Sequence, residues 1–211
     1  MLDKLKCVKI DGFKLVSCFC RNRKAHGGSC IYVNNINCIE NSDLVALSIE
    51  QYCEISAVDL IEYGITIVCL YRTNLISSND FFDHLESLLE KITDLGIECV
   101  IVGDVNVNCI GEVSSDRKKL FDMLSAHGMT NFVDFPTRIA GTTETCLDHL
   151  YANLSPDAIR TEPVVTNLSD HLAVRGEILC IRKVAGSQVR SIRDMDKKKT
   201  IVLSCEADVL L

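Results

Sequence analysis

The chain reads as a mixed β-sheet packed against helices, an α/β or α+β layered sandwich. Three observations predict it. Short apolar runs of strand length recur between residues 13 and 179. Two stretches of helical periodicity are inserted among them, each opened by capping residues and closed by a glycine. Polar residues able to do chemistry fall at the ends of the strand-like runs, which is how many α/β enzymes build sites on a rigid base.

Residues 13–19 and 30–33 are strand-like, and the basic segment 21–28 between them contains Gly27-Gly28, which permits a tight turn. Residues 44–49, 55–60 and 65–71 are apolar and partly alternating, with Tyr63-Gly64 turning the second into the third. These three read as successive antiparallel strands. Ser77-Ser78-Asn79-Asp80 then supplies N-cap residues, and Phe81, Phe82, Leu85, Leu88, Leu89 and Ile92 follow at helical spacing up to a C-cap at Gly96. Residues 97–102 form a buried strand. Ser115-Asp116 opens a second helix with Leu120, Phe121 and Leu124 inward and His127-Gly128 at its end. Three strand candidates follow at 147–151, 159–165 and 172–179. Beyond residue 181 the pattern fades. Residues 182–199 are basic and non-periodic, and residues 201–211 hold one apolar run with no clear place in a sheet. One domain over residues 1–181 and a tail over 182–211 is the expected organisation.

At 211 residues, 47% of them apolar, the chain can bury one sizeable core. No apolar run approaches the roughly 18 to 20 residues of a membrane helix. The N-terminus lacks the apolar stretch of a signal peptide. Most of the 12 cysteines sit inside apolar runs, as small buried hydrophobes do, and an intracellular, reducing setting is expected. Cys18, Cys20, His26 and Cys30 have a loose zinc-knuckle look, but the spacing fits no standard site, and buried thiols are the better reading. The net charge of −7 does not favour a grip on nucleic acid, yet it is unevenly spread. Residues 3–24 and 182–199 each carry seven basic and two acidic side chains, whereas residues 25–181 carry eight and 23. A solvated surface with polar ends accounts for this; so does a carboxylate cluster in the body with phosphate-contacting ends.

Two segments carry the chemistry. Val100-Ile101-Val102-Gly103-Asp104-Val105-Asn106 is a buried strand that ends in a carboxylate and an amide. Ser169-Asp170-His171-Leu172 offers a second carboxylate beside an imidazole. Together with Tyr71, Asn74 and Asp148, these are the parts for metal-assisted phosphate chemistry. His26, His84, His127 and His149 read as surface or structural.

These motifs resemble the endonuclease/exonuclease/phosphatase superfamily. Gly103-Asp104-Val105-Asn106 is similar to its "GDFN" segment, Leu147-Asp148-His149 to its "(I/L)DH" segment and Ser169-Asp170-His171-Leu172 to its "SDH" ending. Gly27-Gly28-Ser29-Cys30-Ile31-Tyr32-Val33, Tyr71-Arg72-Thr73-Asn74 and Phe135-Pro136-Thr137-Arg138 resemble segments of the endonuclease domain of jockey-type non-LTR retrotransposons. The resemblance covers about residues 10 to 181. Several motifs in one order are specific where any one alone is weak.

The resemblance implies a four-layered α/β sandwich, lacking its first strand, helix and second strand, and Mg²⁺-dependent phosphodiester hydrolysis of DNA. It implies Asp104 as the base on the attacking water, Asn106 orienting that water, and His171 donating to the phosphoryl oxygens. Asp148 would orient and charge His171, Asp170 would help place the metal or leaving group, Tyr71 would donate to the phosphate, and Asn74 would contact a phosphate. The superfamily's principal metal ligand, a Glu on the second strand, would fall before Met1, so a weakened Mg²⁺ site and low or absent activity are expected. Val105 and Ala173 replace the usual aromatic residue and proline. Two other outcomes stay open: a non-catalytic nucleic-acid-binding remnant of a retroelement, and a phosphatase of the same superfamily. A lost central strand would expose a sheet edge and promote self-association. A nuclear location is expected if the chain is functional.

Overall fold

The computed structural model describes residues 8–22, 27–74, 77–179 and 201–202. Its first two strands, β1 (Lys14–Phe19) and β2 (Ser29–Val33), form an antiparallel ribbon. β3 (Cys38–Glu40) follows, then a one-turn helix α1 (Ser42–Val45), β4 (Glu54–Leu60) and β5 (Ile65–Tyr71). A long helix α2 (Ser78–Asp94) crosses over to β6 (Glu98–Asp104), which lies parallel to β5. After α3 (Ser115–Ala126) come β7 (Thr130–Asn131), β8 (Arg138–Ala140), β9 (Thr143–Thr145), β10 (Asp148–Ala152), β11 (Ile159–Val164), β12 (Ala173–Ile178) and β13 (Ile201–Val202).

A six-stranded mixed sheet in the order β3-β4-β5-β6-β10-β7 is the centre of the molecule. β4, β5, β6 and β10 are buried almost throughout. Such strands are covered on both faces, and their near-continuous apolar sequences follow from it. The helices bring one cover: α2 buries Phe81, Phe82, Leu85, Leu88, Leu89 and Ile92 along a single stripe. Its start is set by Ser77, whose side chain accepts from the Asn79 N–H, and its stop by Gly96 at φ +61°. The β1–β2 ribbon bonds to β4, with the Phe19 N–H donating to Ser56 Oγ (3.1 Å) and the Ala57 N–H to Ser17 Oγ (3.2 Å). β12 packs close enough to β10 that a methyl on Gly176 would meet Leu150 Cδ1.

The expected strand at residues 44–49 is not formed. Asn41 Oδ1 accepts from the Leu44 N–H and caps α1 instead, so the apolar run buries Leu44 from a helical turn. The strand that precedes it, β3, is too short to show alternation. Phe121 is half-buried, whereas Leu120 and Leu124 are fully buried. The hairpin β8–β9 gave no apolar signal because its residues are mostly exposed. Ile201 and Val202 pair with Gly176 and Arg175, so part of the tail does have a place in a sheet. The rest of residues 182–211 lies outside the described residues, as does His26 of the zinc-like cluster. Cys18, Cys20 and Cys30 are half-buried free thiols. Among the described residues no helix is long and apolar enough to cross a membrane.

Candidate active site

Three adjacent strands end together. Asp104 and Asp148 are direct cross-strand partners on β6 and β10. The parallel register of β5 with β6 (Cys69 opposite Val102) carries Tyr71 to the level of Asp104. His171 arrives from the loop before β12, and its Nδ1 lies 2.8 Å from Asp148 Oδ2. A carboxylate oxygen accepts, so Nδ1 carries the proton. Asp104, Asp148 and His171 each offer a ligand atom within 4.8 Å of the others, the one such cluster found among the described residues.

The backbone around the acids is locked by side chains. The Asn106 N–H donates to Asp104 Oδ1 (2.9 Å), and Asn106 Nδ2 donates to the Arg72 carbonyl (2.7 Å). Asn106 holds φ +51°, a left-handed conformation that asparagine tolerates best among residues with a side chain. The buried Thr137 Oγ1 accepts from both Leu147 N (2.9 Å) and Asp148 N (3.0 Å). Segment 137–139 also bonds to the His171 loop. Ile139 N donates to the Asp170 carbonyl and Leu172 N to that of Thr137. Thr137→Val should therefore strand one buried and one partly buried N–H group and lower unfolding free energy by about 1–3 kcal/mol, while Thr137→Ser stays near the parent; urea titration of both checks this.

Asp104 sits with almost no exposure beside a second carboxylate. Burial and the Asp148 charge raise its pKa to about 7, against the Asn106 N–H and the cationic character of His171 and Arg138. The His171 pKa is raised, first by its hydrogen bond to Asp148 and against its own burial. An acid–imidazole cluster of this kind can exchange protons near neutral pH and receive a cation. Two facing carboxylates are a fitting donor set for a hard, oxygen-seeking divalent ion.

Asp170 stands apart from this cluster. Its carboxylate pairs with Arg138 Nε at 2.8 Å, both partly exposed. Asn74 is exposed at the start of the following loop. Tyr71 is half-buried under the Arg21 guanidinium. Thr137 and Arg138 were visible in the sequence only as part of a resembling segment, without a role. His149, read as surface or structural, is buried; its Nε2 lies 3.0 Å from the Val107 carbonyl and burial lowers its pKa to about 4, so the neutral ring donates and pins the loop after Asp104.

Residues 65–175 match the family model described as endonuclease-reverse transcriptase. The fold is similar to the endonuclease domain of TRAS1, a telomere-specific non-LTR retrotransposon, at 16% identity and a TM-score of 0.63, over 80% of this chain and 81% of that one. It is also similar to the 3'-5' exonuclease NExo of Neisseria meningitidis, at 16% identity and a TM-score of 0.58, over 79% and 80% of the two chains. The Xenopus laevis APE2 catalytic domain is similar at 14% identity and a TM-score of 0.59, over 89% and 82%. No curated protein matches the sequence.

Proposed function

The chain belongs to the endonuclease-reverse transcriptase family, and from that premise we propose that it is a Mg²⁺-dependent endonuclease that hydrolyses phosphodiester bonds in DNA. The observation that carries this reading is the convergence of Asp104, Asp148 and His171 within 4.8 Å at neighbouring strand ends. Asp104, in its ionised form, takes the proton of the attacking water. Asn106, one residue past Val105, orients that water. His171 keeps Nδ1–H on Asp148 and presents its other ring nitrogen as a charged donor to the phosphoryl oxygens. Tyr71 donates to the same phosphate and Asn74 contacts a flanking one. Asp104 and Asp148 would hold the metal, while Asp170 is paired with Arg138; Mg²⁺ bound there would stabilise the negative charge that builds on the phosphate.

Supercoiled plasmid with Mg²⁺ tests the reading. Nicking by the purified chain should be lost with EDTA and fall at least about 100-fold in His171→Ala. Nicking that survives His171→Ala at the parent rate, or salt-sensitive DNA binding without any nicking, would replace this reading with that of a contaminant or of a non-catalytic DNA-binding module.

A further inference from the structure

We propose that Arg21, held by the buried carboxylate of Glu54, is a positioning residue that aims the Tyr71 phenol at the bound phosphate; this rests on the nuclease reading above. Glu54 and Tyr71 face each other across β4 and β5. The Glu54 side chain has no solvent exposure, and Arg21 very little. Glu54 Oε1 accepts from Arg21 Nε and from the Gln51 N–H (2.6 Å), and Oε2 accepts from the Gly28 N–H (2.6 Å). The carboxylate is therefore fixed by three donors. It in turn fixes the guanidinium, whose Cζ sits 5.5 Å from the centre of the Tyr71 ring.

Gly27 completes the arrangement from another side. A Cβ there would stand 2.1 Å from Arg21 Cζ, so a larger residue would push the guanidinium out of this position. The Gly27-Gly28 pair, which in the sequence signalled only a turn, serves this contact. A buried ion pair is seldom more stabilising than apolar residues of the same size, so its presence beneath a site residue points to orientation rather than stability. A donor to a transition state loses much of its effect when misplaced by about 1 Å.

The test is a double-mutant cycle on the full chain, with kcat and KM for duplex nicking in Mg²⁺. Arg21→Met/Glu54→Gln removes the charge pair without leaving a lone buried charge. It should lower kcat about tenfold with KM within about twofold, and Tyr71→Phe should lower kcat at least as much. In the Tyr71→Phe background the pair substitution should have no further effect, and Arg21→Lys should recover part of the loss. A full tenfold loss persisting in that background, or unchanged kcat in the pair variant, overturns the proposal. If the parent itself does not nick, the nuclease reading fails, and Tyr71 is followed instead by its ring ¹³C–¹H signals. Changed NOEs from the Tyr71 ring to its neighbours in the pair variant then uphold the orienting contact, and unchanged ones sink it.

Discussion

Asp104→Asn should abolish plasmid nicking and at the same time make the protein more stable above neutral pH. Asparagine keeps an oxygen that can accept from the Asn106 N–H, so the loop after β6 stays in place. It cannot take a proton from water, and loss of a positioned base costs roughly 10²- to 10⁴-fold in rate. The stability gain follows from linkage. The Asp104 pKa is raised from an ordinary carboxylate value to about 7 by burial and by Asp148. A group so raised binds its proton more tightly in the folded chain, and its contribution is fully present below the unfolded pKa. That contribution is lost as pH rises from about 4 to about 7 and stays lost above. Without added metal, parent stability should therefore decline across that window by at most on the order of 4 kcal/mol, and the Asp104→Asn variant should lack this decline. Urea midpoints at pH 5 and pH 8, taken in EDTA, measure it. Nicking by Asp104→Asn at parental rates, or equal pH slopes for both proteins, would contradict the assignment. Saturating Mg²⁺ should flatten the parent's slope as well, because a cation between the carboxylates favours their ionised forms.

Gly103→Ala should unfold the domain or lower its stability by more than about 3 kcal/mol. Gly103 has φ +148°, a region that residues with a side chain rarely occupy. A Cβ there would fall 1.8 Å from the Leu70 carbonyl oxygen, on the neighbouring strand β5. Neither strand can yield easily, since β5 and β6 are buried in the centre of the sheet. Moving them apart would also part Tyr71 from Asp104. Gly96→Ala is the matching control: φ is +61°, but an added Cβ meets nothing within 4 Å, so only the left-handed backbone cost of about 1 kcal/mol applies. Thermal and urea unfolding of the two variants should separate clearly. Equal stabilities would mean that the β5–β6 approach is looser than described.

Much of the fold was legible because burial on both faces writes long apolar runs. The strands β4, β5, β6 and β10 and the helix α2 stood out on that signal, with capping serine and glycine marking the helix ends. Where elements are short or exposed, burial leaves no pattern. β3, β7 and the β8–β9 hairpin escaped for that reason, and a single asparagine cap turned an apparent strand at residues 44–49 into α1.

The amino-acid sequence by itself determined which residues could do the chemistry, because carboxylate, amide and imidazole groups at strand ends occur in a specific order. It also determined the family, since several motifs recur together along residues 65–175. Only the tertiary structure decided which of those residues meet. It joined Asp104 and Asp148 as cross-strand partners, brought His171 to Asp148 and left Asp170 to Arg138. It also gave tasks to Thr137, His149 and the Arg21–Glu54 pair. The physical reason is that such contacts join residues dozens of positions apart. Sheet register and side-chain hydrogen bonds set them, and no local periodicity encodes either.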